Sequence, residues 1–166
     1  AVRALGRMGD PANFQHIQPA LEAPSVRVRT AAVNAVGRLG QSKLAARISA
    51  SLHSDSPSVR VAAIHAMKAL EAHAQEPDLL RLLDDPQAYI RRESLKALIA
   101  LGGTKYKREY LNATDDEHSS VRLVAAEAIG RFNLTNGISN LGRLFADENK
   151  FVRRAAVDSM VAIGTE

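Results

Sequence analysis

The sequence predicts an all-α chain assembled from 31-residue helical-hairpin units. One observation is an ungapped internal repeat. Arg29, Arg60, Arg91, Arg122 and Arg153 follow one another every 31 residues, each preceded by a β-branched residue, Val28, Val59, Ile90, Val121 or Val152. Self-similarity at a fixed period of this size marks a stacked-repeat architecture. A second observation is the spacing within the repeat. Counting from each Arg, apolar or small residues recur at −1, +3, +4, +7 and +10, all on one face of a helix. The third is composition: Ala, Leu, Val and Ile dominate, aromatics make up only 4% and Trp is absent, as suits closely packed helices.

The chain opens part-way through a unit, since residues 1–9 match residues 32–40 in the same register. Full units then fall at 10–40, 41–71, 72–102, 103–133 and 134–164. Residues 1–166 thus read as a single array, expected to be a fragment of a longer chain because neither end offers a polar capping unit. Each unit starts with a helix A, which carries Ile17, Ile48, Leu79, Tyr110 and Leu141 at one position. Four residues later, on the same face, come Leu21, Leu52, Leu83, Thr114 and Phe145. Pro19 lies inside the first helix A and predicts a kink or a late start there. Loops such as Ala23-Pro24-Ser25, Asp55-Ser56-Pro57-Ser58 and Asp84-Asp85-Pro86 lead into helix B, which bears the recurring Arg. Gly9, Gly40, Gly102 and Gly164 mark the ends of helices B and are expected to be left-handed stops.

The unit Val-Arg-x-x-Ala-(apolar)-x-Ala-(apolar)-Gly-x-(apolar)-Gly resembles the short bacterial and archaeal HEAT repeat, also seen in phycobilisome-lyase-type HEAT proteins, and the resemblance covers the whole chain. It implies a right-handed α-α superhelix (HEAT-repeat solenoid), with helices A forming a convex outer layer and helices B a concave inner one. It also implies a buried ladder in which an Asp before helix B pairs with the recurring arginine, here Arg29, Arg60, Arg91, Arg122 and Arg153. Asp85, Asp116 and Asp147 stand six residues before Arg91, Arg122 and Arg153. The first two rungs depart from this: Asp55 stands five before Arg60, and Arg29 has only Glu22 seven before it.

Several function classes are excluded or disfavoured. Without cysteine there is no disulfide, thiolate zinc site or cysteine nucleophile. No apolar run approaches the roughly 18–20 residues that span a bilayer, so membrane insertion is not expected. Nothing points to a compartment, and the cytoplasm is the default. His16, His53, His65, His73 and His118 occupy five different repeat positions, and none is followed by Glu, so the His-Glu iron ligands of HEAT-type deoxyhypusine hydroxylases are missing. The Trp-bearing groove of HEAT-like alkylpurine glycosylases cannot exist here. His65 and His73, eight residues apart, could share a helical face, but two histidines without a third ligand make a weak metal site. With no phosphate loop or nucleophile motif either, the chain is read as non-enzymatic, without metal or cofactor.

Function is then sought where the repeat tolerates any residue. The recurring arginines are read as structural, because an Arg at fixed register beside a carboxylate more often clamps neighbouring loops than binds a ligand. The variable face of helix B comprises Arg3, Arg7, Thr30, Asn34, Arg38, Val61, His65, Lys68, Arg92, Lys96, Leu123, Glu127, Arg131 and Arg154. These residues are three or four apart on one exposed face, which the resemblance places along a concave groove. Five repeats at roughly 10 Å spacing make it on the order of 50 Å long, and Val61 and Leu123 are its apolar anchors. Residues 1–71 carry nine cations and four acids, whereas residues 72–166 carry thirteen and fourteen. The reading is a protein-interaction scaffold whose basic N-terminal half suits an acidic segment. A nucleic-acid clamp is the weaker alternative, since phosphate tracking needs a longer basic stripe. A non-catalytic subunit of a chromophore-lyase-type complex is another, resting on the repeat type alone. Tyr89 and Phe151, at equivalent places before helix B, are expected to pack loops.

Overall fold

The computed structural model describes residues 1–164, apart from the side chain of Pro11. Every regular element among them is helical. In chain order the α-helices are α1 (Val2–Met8), α2 (Phe14–Ile17), α3 (Val26–Arg38), α4 (Ala45–Ile48), α5 (Pro57–Ala69), α6 (Glu76–Arg81), α7 (Ala88–Gly102), α8 (Lys107–Asn112), α9 (Ser119–Arg131), α10 (Ile138–Leu144) and α11 (Lys150–Gly164). From α2 onwards, short helices A alternate with long helices B. The chain divides into two compact units, Ala1–Leu82 and Leu83–Glu166. In the first, α1, α3 and α5 pack side by side; in the second, α7, α9 and α11 do the same.

Helix A is short because its last turn tightens into a 3₁₀-helix. In the first repeat α2 stops at Ile17 and a 3₁₀ turn runs over Gln18–Glu22 with Pro19 near its start. The same break appears in the next repeat, where Ser49–His53 follow α4 with no proline present. Pro19 therefore occupies a break that the repeat already has. A tight last turn brings the chain round to helix B within a few residues.

The repeating apolar positions form the core. Ile17, Ile48, Leu79, Tyr110 and Leu141 of helices A are fully buried, as are Val36, Met67, Leu98 and Ile129 of helices B. The Tyr110 hydroxyl can be buried because it donates to the Gly103 carbonyl at 2.7 Å, with the Leu98 carbonyl as an alternative acceptor at 3.2 Å. Phe145, expected on the same face as the buried Leu52 and Thr114, is instead exposed, since α10 has ended at Leu144. Ala35, Ala66 and Ser159, six residues after their recurring Arg, are small because a glycine of a neighbouring helix B in the same compact unit passes close to each. A Cβ built on Gly37 would lie 3.0 Å from the Cα of Ala66, and one on Gly130 would lie 2.8 Å from the Cα of Ser159.

The helix stops differ in part from expectation. Gly9 and Gly40 are left-handed, both at φ 68°. Gly102 is not: α7 runs through it and the positive φ passes to Gly103, at 52°. Gly164 is still helical and lies outside the positive-φ glycines. Where the repeat has no glycine, Glu71 and Asn133 adopt the left-handed conformation themselves, at φ 51° and 49°.

Candidate partner-binding surface

The recurring arginines hold the hairpins together. In each repeat one guanidinium Nη1 donates to the two loop carbonyls five and six residues back. Arg29 reaches Ala23 and Pro24 at 2.8 and 2.9 Å, and Arg122 reaches Asp116 and Glu117 at 2.9 and 3.0 Å. The carboxylate partner comes from the following repeat, not from the Asp six residues before. Arg91 grips Asp116 through Nε and Nη2 at 2.8 and 2.9 Å, and Arg122 grips Asp147 at 2.7 and 2.9 Å. Each such Asp also accepts the backbone N–H two residues on, from His118 or Asn149, so one side chain closes the turn and links two repeats. Arg29 has no carboxylate because the residue 25 positions on is Ser54.

This geometry shifts the carboxyls downward. Burial alone would raise Asp116, but its hydrogen bonds from Arg91 and the His118 N–H outweigh that and hold it below the ordinary carboxylate value. For Asp147 the Arg122 hydrogen bond is the largest influence and lowers it, against a smaller effect of burial. Both arginines are raised, each chiefly by its Asp partner.

None of the variable helix-B residues is buried, and two groups of them converge, one in each unit. In the first unit Arg3, Thr30, Asn34 and Arg38 surround a depression of about 240 Å³, joined by Arg27 and Ser58. In the second, Leu123, Glu127, Arg131 and Arg154 surround one of about 470 Å³, together with Phe151 and Asp158. Arg7, Val61, His65, Lys68, Arg92 and Lys96 lie outside both. Arg92 pairs with its neighbour Glu93 at 2.8 Å, and Lys96 lies 3.5 Å from the same carboxylate.

Phe151 corrects the expectation that it packs a loop. It is 60% exposed and forms part of the larger depression's wall, with the Lys150 ammonium 5.2 Å from its ring centre. The shared helical face suggested for His65 and His73 does not form either. Helix α5 ends at Ala69, Glu71 reverses the chain, and His73 starts the next turn, where it meets Glu76 at 2.9 Å. Among the described residues, no group of three or more His, Asp or Glu side chains is placed to hold a metal ion. Among the described residues, no helix is long and apolar enough to cross a membrane.

The model of the family described as HEAT repeats matches residues 1–68 and 108–166. The chain belongs to the HEAT-repeat family. Among solved structures, this HEAT-repeat chain is similar to one from the complex of CpcE and CpcF of phycocyanin lyase from Nostoc sp. PCC7120. That pair is 24% identical with a TM-score of 0.68, covering 98% of this chain and 70% of the other. It is also similar to the archaeal HEAT-like repeats protein from Thermococcus onnurineus NA1, at 15% identity and TM-score 0.65, covering 99% and 76%. A designed armadillo repeat protein in complex with the peptide (KR)4 matches at 15% identity and TM-score 0.61, covering 98% and 91%. At such identities the likeness establishes the fold, that of helical-repeat solenoids. No curated protein matches the chain. The HEAT match omits residues 69–107, where Ile99 stands in place of the close-contact glycines Gly37 and Gly130.

In the HEAT-repeat frame, Arg27, Ser58 and Phe151, which line the depressions but are absent from the variable face read in sequence, share one position with Tyr89 and Ser120, two before the recurring Arg; Asp158, at +5, was passed over as well. Positions −2, +1, +5 and +9 form one helical stripe. The signal was therefore available: position −2 varies as freely as the other three.

Proposed function

We propose that this chain is a protein-interaction scaffold that holds its partner through the non-repeating residues of helix B. The observation carrying this reading is the separation of roles within each unit. Most repeating apolar side chains are buried and the recurring arginines are spent on loop clamps, while eight of the fourteen variable residues line one of the two depressions. Leu123 and Phe151 give the larger depression an apolar wall, with Arg131, Arg154, Glu127 and Asp158 around it. Such an apolar centre with a charged rim suits one bulky side chain of a partner segment. The smaller depression, lined by arginines without carboxylates, suits an acidic segment. In support, a structure with the same fold is described as holding a peptide.

The test uses peptides selected from a display library on the native chain. Phe151→Ala is expected to weaken them about tenfold or more, as truncating a central anchor does. Joint charge reversal at Arg7 and Arg38 is expected to weaken peptides with acidic stretches. Unchanged affinity in both variants would refute the reading. A second reading, a non-catalytic subunit of a chromophore-lyase-type complex, is favoured by the likeness to the phycocyanin lyase complex. It requires that adding this chain to a partner subunit promote tetrapyrrole transfer, and absence of any promotion would remove it.

A further inference from the structure

We propose that the depression in the first unit is a receptor for a phosphate monoester on a partner protein, a phosphoserine or phosphothreonine side chain. This rests on the scaffold reading above and assigns the chemistry of one of its two depressions. Arg3 of α1 and Arg27 and Arg38 of α3 line the same small space, and no carboxylate is among the residues lining it. None of the three makes an ion pair or a side-chain hydrogen bond among the described residues. Three arginines lining one depression without a counter-charge leave its field positive, and an anion bound among them offsets that charge. Two neutral donors on the same wall, the Asn34 amide and the Ser58 hydroxyl, are likewise without partners. Val26, at the start of α3, lines the depression too, and Ser25 before it provides no side-chain cap, so unmet N–H groups and the positive end of that helix add to the field.

The number and kind of donors select the anion. A single carboxylate brings one negative charge and two oxygens to three arginines. A phosphate monoester brings nearly two charges and three terminal oxygens, which forked guanidinium groups bind in pairs. The volume, about 240 Å³, admits such a group with the side chain that carries it, but not a folded domain. A nucleic-acid backbone offers one charge per phosphodiester and is held by a long basic track, whereas these arginines form one cluster. The depression in the second unit is the internal contrast. Glu127 and Asp158 share its wall with Arg131 and Arg154, a mixed lining that repels a dianion.

The experiment titrates the whole chain with four labelled probes. They are a neutral peptide carrying one phosphoserine, the same peptide with serine, the same with glutamate, and a single-stranded oligonucleotide of similar length. Saturable binding of the phosphopeptide is expected, at least tenfold tighter than the glutamate form, with no saturation by the serine form. Arg3→Gln and Arg38→Gln should each weaken the phosphopeptide about fivefold without lowering the thermal midpoint, since both side chains are exposed and unpaired. Equal affinity for the glutamate form would overturn the proposal in favour of a general acidic segment and leave the scaffold reading standing. Tighter binding of the oligonucleotide would overturn both. No phosphopeptide binding, or binding indifferent to the two substitutions, would overturn the phosphate site alone, because the Phe151→Ala test concerns the other unit.

Discussion

Replacing Ser54 by Asp gives the first unit the carboxylate that its recurring arginine lacks. Ser54 occupies the repeat position of Asp116 and Asp147. Arg122 uses Nη1 for two backbone carbonyls and Nε and Nη2 for Asp147, at 2.7 and 2.9 Å. Arg29 already places its Nη1 on Ala23 and Pro24, leaving Nε and Nη2 without a partner among the described residues. An Asp at 54 can also accept the Ser56 N–H, as Ser54 Oγ does now at 3.3 Å and as Asp147 does for Asn149. A sheltered hydrogen bond to a charged group contributes about 1.5–3 kcal/mol. A fully exposed ion pair contributes about 0.2–1 kcal/mol. Arg29 is half-buried, between these limits, so a gain of about 1–1.5 kcal/mol is expected. Denaturant unfolding of the native chain, Ser54→Asp, Arg29→Gln and the double variant forms a closed cycle with an expected coupling near 1 kcal/mol. If Ser54→Asp stabilised the Arg29→Gln chain equally, the Asp would be acting through the helix end or net charge. The 25-residue pairing would then be wrong.

Four further outcomes follow from particular residues. Asp116 and Asp147 are held below their unfolded pKa, so their contribution is complete above about pH 4 and is lost as pH falls through the depressed folded values. Asp147→Asn should therefore lower the thermal midpoint at pH 7 and flatten its decline in acid, as calorimetry across pH 2–7 (about that window) would report. Gly142 lies inside α10 with nothing within 4 Å of a built Cβ, so Gly142→Ala should stabilise by about 0.8–1 kcal/mol. Gly130→Ala gains the same helix propensity but pushes into Ser159, and overpacking of about 1–3 kcal/mol should make it net destabilising in the same unfolding assay. The Thr30 hydroxyl is shielded from solvent with no hydrogen-bond partner, so Thr30→Val should raise the unfolding midpoint instead of lowering it.

The fold was legible because the repeat is ungapped: Val59, Ile90, Val121 and Val152 mark the same buried position, and only Val28, in the first repeat, is exposed there. The ladder was only half legible. Asp85, Asp116 and Asp147 were visible as its acids, but adjacency along the chain suggested the Arg six residues on. Stacking one hairpin on the next makes the Arg 25 residues earlier the nearer partner, a distance no single repeat displays. The stop at Gly102 was misjudged because α7 runs through that glycine and Gly103 takes over the reversal. On the proposed binding face, Leu123, Glu127, Arg131 and Arg154 could be grouped from helical spacing alone. Phe151 belongs to the same stripe by spacing, but an aromatic ring next to a loop suggested packing, and its exposure shows only in three dimensions.

Residues that refuse to repeat should bind, and residues that repeat should hold the chain together, so one paired measurement separates the two sets. A peptide selected on the native chain is titrated against a Leu123→Ala, Phe151→Ala double variant and, separately, against Asp147→Asn, with the thermal midpoint of each recorded. The expected result is a loss of about tenfold or more in affinity at an unchanged midpoint for the double variant. For Asp147→Asn it is unchanged affinity with a midpoint lowered by about 5 °C. Native affinity in the double variant, or loss of binding in a folded Asp147→Asn chain, would contradict that division of labour.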